Sequence, residues 1–281
     1  MALLADVIAP GDPFASAGPA LRPPSTEHLM GTDNLGRDVF RAVVHGARTS
    51  MTVVVGVLLI SSAIGIVVGA VAGYRGGLVD DVLMRITEVF QSLPHFFLAL
   101  LVVALFGSSL RNLVVFLGLT SWELLARVVR AETLSIRQQA FVEAAQAAGA
   151  TDRRILFRHV VPNSLPSATV VMALVGSTVI LIEAGLSFIG LGDQTQMSWG
   201  FLINNAETFL QVAWWMSVFP GLAIVIAVLG LNLLSDGLND ALNPSPDSSR
   251  RLRPRGKLRA RLAARRDPPA TRAGRRRRVP A

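Results

Sequence analysis

Long uncharged apolar runs separated by short polar segments set the organisation of this chain. Met51–Ala72, Leu165–Ile182 and Val212–Leu234 carry no charged residue, and each is close to the ~20 residues that an α-helix needs to cross a hydrocarbon core of ~30 Å. Val89–Phe106 reads as a fourth span; Pro94 interrupts its start, which neighbouring helices can accommodate by re-satisfying the freed carbonyl. Leu113–Trp122 is too short alone and becomes a fifth span only when extended past Glu123 to Arg127 or Arg130. Glu123 and Arg127, four residues apart, are then expected to pair on one helix face, with the arginine reaching for the interface. The pattern predicts an all-α polytopic membrane protein.

Composition agrees: 51% of the 281 residues are hydrophobic and 16% charged, outside the usual range of a soluble domain. There is no cysteine and the four histidines are scattered, so thiol chemistry is excluded and a metal site or other cofactor is not expected. The formal charge of +8 is unevenly placed. Residues 245–281 hold 14 Lys+Arg and 2 Asp+Glu, a net of +12, which leaves −4 for residues 1–244. The body is therefore not a nucleic-acid-binding surface. The Arg/Pro/Ala-rich tail has too little apolar surface to order itself and reads as a disordered basic cytoplasmic tail, solvated or drawn to anionic lipid.

Arginine placement orients the chain. Arg75, Arg85, Arg127, Arg130, Arg137, Arg153, Arg154 and Arg158 fall on one side with the tail, while the loop 183–211 has none. The C-terminus is placed in the cytoplasm, and five spans then put the N-terminus outside. Residues 1–10 are apolar but too short to cross, and they read as the outer end of a longer helix; Gly11–His28 follows as an extracytoplasmic loop. The organisation expected is 1–48 as a helix end and N-terminal loop, 49–244 as the membrane domain with a cytoplasmic loop over 123–164, and 245–281 as the tail.

That cytoplasmic loop is the longest polar insertion. Within it, Phe141–Gly149 (FVEAAQAAG) is a strong helix former ending on a glycine suited to a left-handed C-terminal position. Thr151 is placed to cap a second short helix, Asp152–His159, and Pro162 to open the next span. The segment Glu143–Gly149 followed by His159-Val-Val-Pro-Asn163 resembles the EAA loop of bacterial ABC importer permeases. Five further segments narrow the resemblance to the C-type permease of the dipeptide/oligopeptide/nickel family: Gly31–Asp38 (GTDNLGRD), Gly73–Gly77, Leu186–Gly192, Ser198–Gly200 and Asn232–Pro244, the last containing Asp236 and Gly237.

The resemblance implies the type I ABC importer permease fold, usually with six spans rather than five. It implies a bacterial inner-membrane location and a role as half of a translocation path for peptides or related small solutes, nickel complexes among them. The partners implied are a homologous B-type permease, two cytoplasmic ATPases, an extracytoplasmic substrate-binding protein and the lipid bilayer around the spans; no catalytic residue is expected here, because the ATPases bind the nucleotide. Carried over as the ATPase-coupling loop are Glu143, Ala144, Ala145, Gly149, Thr151, Asp152, His159, Pro162 and Asn163. Carried over as family motif positions are Gly31, Thr32, Asp33, Gly36, Arg37, Asp38, Asp236 and Gly237.

Other residues have plainer readings. His159 caps or packs, Arg85 and Glu88 pair at the inner interface, and Glu183 is an interfacial carboxylate reaching water or, failing that, a transport residue. Gly65, Gly69 and Gly73 allow close helix approach, within this chain or against a partner. An ion-driven secondary transporter is the main rival; it calls for paired broken helices and buried carboxylates near mid-membrane, and the sequence displays neither. A non-transport membrane scaffold or enzyme is a second, without a catalytic constellation to support it.

Overall fold

A computed structural model describes residues 2–242. Among these the secondary structure is helical apart from two isolated bridges, Ser16 to Arg37 and Thr32 to Asp38. After a short 3₁₀ turn comes α1 (Ala5–Ile8), then the long α2 (Val39–Arg75). The helices α3 (Gly77–Ser92), α4 (His95–Phe106), α5 (Leu110–Thr120) and α6 (Glu123–Arg137) follow. The small α7 (Ala140–Ala147) precedes α8 (Asp152–Ile155), which runs through a π-helical turn, Leu156–Val160, into α9 (Val161–Phe188). The chain then forms α10 (Trp199–Ala206) and α11 (Trp215–Leu242). The basic tail predicted at 245–281 lies outside the described residues.

Four helical stretches are long and apolar enough to cross a membrane: Val39–Arg75, Leu110–Arg137, Asp152–Phe188 and Trp215–Ala241; the bent pair α3–α4 makes a fifth if taken as one span. The spans expected from the sequence are all present, but their limits and shapes differ. The first begins at Val39 because the Asp38 carboxylate caps it, accepting from the Arg41 N–H at 3.0 Å. At 37 residues it is ~56 Å long, well beyond the hydrocarbon thickness, and position 48 lies inside it.

The Val89–Phe106 span is not one helix. Leu93, forced extended by Pro94 (φ −87°, ψ 128°), ends α3, and α4 restarts at a bend of 78°. The next span is broken as well, at Ser121–Trp122 between α5 and α6. Glu123 and Arg127 do not pair. Glu123 faces His95, with Oε1 3.5 Å from Nε2, and Arg127 donates to Gln91 instead, because the α3–α4 elbow comes between them and offers each a nearer partner.

The second short helix expected at Asp152–His159 is not separate either; it is the inner end of the α9 span. The π turn absorbs the missing N–H of Pro162 without breaking the rod. Of the segment 123–164, residues 123–137 and 152–164 therefore extend spans, leaving α7 and its following corner between them.

Helix packing is set by small residues. A Cβ at Gly65 would lie 2.9 Å from the Trp122 carbonyl oxygen, at Gly69 2.3 Å from that of Ala126, and at Gly73 2.7 Å from that of Arg130. Further out, Gly56 meets Val114 and Gly118 meets Ile60. The three-glycine stripe is thus used within the chain, and α2 runs parallel to the whole broken α5–α6 span. The core lies where α2, α6 and α9 meet, around Val53, Val57, Leu125, Val129, Val179 and Ile180. By contrast only 6% of the apolar window of α11 is buried.

Candidate functional site

The end of the bundle where α2 and α6 terminate carries the corner that the sequence singled out. α7 is anchored by Val142, which is fully buried, while Phe141, Glu143, Ala144 and Ala147 are exposed. Its C-terminus is a Schellman motif: the Ala150 N–H donates to the Ala145 carbonyl at 3.1 Å and the Gly149 N–H to the Gln146 carbonyl at 2.9 Å. This closure needs a left-handed residue at 149, and Gly149 has φ +79° with open space around the position of a Cβ. Conformation alone, not crowding, selects glycine there.

Beyond the corner, the Thr151 carbonyl accepts from the Ile155 N–H, but the Thr151 hydroxyl makes no capping bond; the expected side-chain cap is absent. Asp152 instead accepts from the Tyr74 hydroxyl at 3.0 Å, and the Arg137 guanidinium lies 5.8 Å from the centre of the Tyr74 ring. The chain's single tyrosine thus brackets the ends of α2, α6 and α8. His159 packs against Phe141, ring centres 6.3 Å apart. The Asn163 amide donates to the His159 carbonyl at 2.6 Å, serving an acceptor of the π turn just before Pro162. Glu143, Ala144, Ala145, Gly149, Thr151, Asp152, His159, Pro162 and Asn163 therefore belong to one continuous structure.

The other residues carried over lie elsewhere. Gly31–Asp38 forms a knot at the far end of α2. Asp33 accepts from the N–H groups of Leu35 and Arg37, and fully buried Thr32 donates to the Pro19 carbonyl. Asp38 bonds His28 Nδ1 at 2.8 Å, and Trp215 donates to the Thr32 carbonyl at 3.1 Å, tying the knot to α11. A Cβ on Gly36 would meet the Gly18 carbonyl oxygen at 2.1 Å. Asp236 and Gly237 are exposed on α11. Their neighbours hold that helix instead: Ser235 donates to the Val170 carbonyl and Asn232 accepts from Ser177.

Two arrangements escaped the sequence reading. Glu183 does not reach water: it is 4% exposed and accepts from Ser50 at 3.3 Å and Ser187 at 2.9 Å, because α2 and α10 close over it. The two helix breaks also meet each other. Phe90 packs against Trp122 with ring centres 5.3 Å apart and the planes inclined at 56°, and His95 Nε2 donates to the Thr120 carbonyl at 2.9 Å. His95, Ser121 and Glu123 line one side of a cavity of about 190 Å³, with Leu174, Val175, Thr178, Val179 and Ile182 of α9 on the other. One sharply bent pair, α3–α4, thus lies beside a short interruption of the Leu110–Arg137 span and a buried carboxylate. Pro94 and the Thr-Ser-Trp stretch at 120–122 were the available signals. Nearer the inner end, Arg130 makes a bidentate pair with buried Asp80 at 2.5 and 2.6 Å, while Arg85 and Glu88 pair as expected at 3.1 Å on the exposed surface.

The family model for the binding-protein-dependent transport system inner membrane component matches residues 65–247. A dipeptide transport system permease protein of Alkalihalophilus pseudofirmus is 39% identical over 240 residues, 84% of this chain and 78% of the relative. A glutathione transport system permease protein of Pectobacterium atrosepticum is 41% identical over 222 residues, 79% of this chain and 74% of the relative. Among solved structures, a chain of the MetNI methionine ABC transporter in an inward-facing conformation superposes with a TM-score of 0.60 at 20% identity. It matches 73% of this chain and 97% of its own length, and so shares the type I importer permease fold. On these matches, this multi-pass membrane protein belongs to the family of binding-protein-dependent transport system inner membrane components.

Proposed function

We propose that this chain forms half of the translocation path of a peptide importer in a bacterial cytoplasmic membrane. It pairs with a homologous B-type permease, receives substrate from an extracytoplasmic binding protein and is driven by two cytoplasmic ATPases. The names of its relatives, which transport dipeptides and glutathione, support a peptide or similar small solute. Its single lysine, Lys257, is followed by leucine rather than set in a phosphate-binding loop, so hydrolysis falls to the partners. The C-terminus is cytoplasmic in this reading.

The observation that carries the reading is the α7–Gly149–α8 corner. It offers a small exposed helix with a flat alanine face, bearing Glu143 and Phe141, rigidly joined through Tyr74 and Asp152 to the ends of three long helices. A push on α7 would therefore move spans rather than bend a loop, a rigid-body response. Residues Glu143 to Asn163 named above are assigned to this coupling role.

The test replaces Gly149 in the complete reconstituted complex. Valine at φ +79° should impose about 1–3 kcal/mol of backbone strain and reorient α7. Uptake should fall roughly tenfold or more while the chain stays inserted. Gly149→Asn, which tolerates the left-handed region, should retain uptake. Glu143→Lys should weaken ATPase retention by reversing a charge on the docking face. Normal uptake and ATPase retention in Gly149→Val would remove the corner from the coupling role.

A further inference from the structure

The cavity between the two helix breaks has the chemistry of a ligand site rather than of packing. Its polar side is built by His95, Ser121 and Glu123, and its other side by the α9 face from Leu174 to Ile182. Glu123 is 8% exposed, and its Oε2 has no hydrogen-bond partner among the described residues. Oε1 pairs with His95 Nε2 at 3.5 Å, and the same ring nitrogen donates to the Thr120 carbonyl. The nearest arginines are committed elsewhere, Arg127 to Gln91 and Arg130 to Asp80. No lysine or arginine lines the cavity. A buried carboxylate is normally hydrogen-bonded through both oxygens, so with His95 holding Oε1 this site is short of a donor at Oε2.

Size and position narrow the choice. About 190 Å³ accommodates an ammonium group with a small side chain, and Leu124 and Leu174 at the rim are 40% and 44% exposed, so the cavity opens on the flank of the bundle. Glu123 lies near the middle of the Leu110–Arg137 span, which is long and apolar enough to cross a membrane. Intramembrane acids facing cavities commonly mark transport paths.

We propose that this cavity holds the α-ammonium group of a peptide in transit, with Glu123 as its anionic partner and the Leu174–Ile182 wall receiving the first side chain. The proposal rests on the peptide-importer reading above. An amine from the partner permease has the same chemistry, and the experiment separates the two sources.

Radiolabelled Ala-Ala uptake is measured in proteoliposomes holding the complete complex and its binding protein, with the parent chain, Glu123→Gln and Glu123→Asp. A dipeptide with the diazirine on its first side chain, photoleucyl-alanine, is crosslinked in parallel and mapped by mass spectrometry. Glu123→Gln should lower uptake about tenfold with the partner permease and ATPases still co-purifying, and Glu123→Asp should recover part of it. Label should appear on segments 121–124 or 174–182 in the parent and disappear in Glu123→Gln. Uptake by Glu123→Gln near the parent's rate overturns the proposal. So does absence of label from those segments in the parent. Loss of the partner permease from the Glu123→Gln complex makes the acid an assembly contact and also overturns it. A parent complex that moves no peptide defeats the broader reading, and that result is visible before any variant is compared.

Discussion

At φ +79° and with open space where a Cβ would stand, position 149 selects glycine through its backbone conformation. Gly149 was readable because a helix-forming run that stops on glycine predicts a left-handed closure, and the Schellman bonds at Ala145 and Gln146 are that closure. Glu183 was not: its chain neighbours place it at the end of an apolar span, and only the approach of Ser50, 133 residues away, takes it out of water. Asp193 is a third case, in the turn after α9. Burial raises its pKa, but hydrogen bonds from Thr195 and from the Leu110 N–H outweigh that and hold it below the ordinary aspartate value. A lowered folded-state pKa means the bonds stabilise the turn above the ordinary value and are lost as pH falls through the lower one. A fluorophore on Gln194→Cys, specific because the chain has no cysteine, should report a fixed turn from about pH 7 to about pH 5. It should report mobility only in stronger acid; loosening already at pH 5 would count against this.

At the level of elements, existence was easier to read than continuity. Apolar runs gave every span, but a helix break needs only one residue with a missing N–H or an extended backbone, as at Leu93–Pro94, and hydropathy does not register it. The glycine stripe on α2 was legible as a close-packing face; its partner, α6, was not, since spacing names a face and not what lies against it. The contact makes a sharp prediction. Gly69→Leu puts a side chain where even a Cβ would lie 2.3 Å from a carbonyl oxygen, and the forced separation should cost about 1–3 kcal/mol. Gly237→Ala, with nothing within 4 Å, should instead gain up to ~1 kcal/mol from helix propensity. Thermal unfolding in detergent should move the two midpoints in opposite directions; equal midpoints would mean that α2 and α6 are not in this contact.

For the whole molecule, the orientation proposed from charge can be checked cleanly because the sequence has no cysteine. Gln194→Cys should react with a membrane-impermeant maleimide added outside intact cells, whereas Gln146→Cys, on exposed α7, should react only after permeabilisation; the reverse pattern would invert the topology. The length of α2 then acquires a mechanical meaning. One end is knotted to α11 by Trp215 and Thr32, and the other is bracketed to α6 and α8 by Tyr74. Glycine contacts clamp it along one side to the α5–α6 span. A strut ~56 Å long that tilts on the order of 10° about its inner end carries its outer end by roughly 10 Å. Leverage of that size lets a small stroke at one face of the membrane be felt as a large displacement at the other, with no signal relayed through the side chains between.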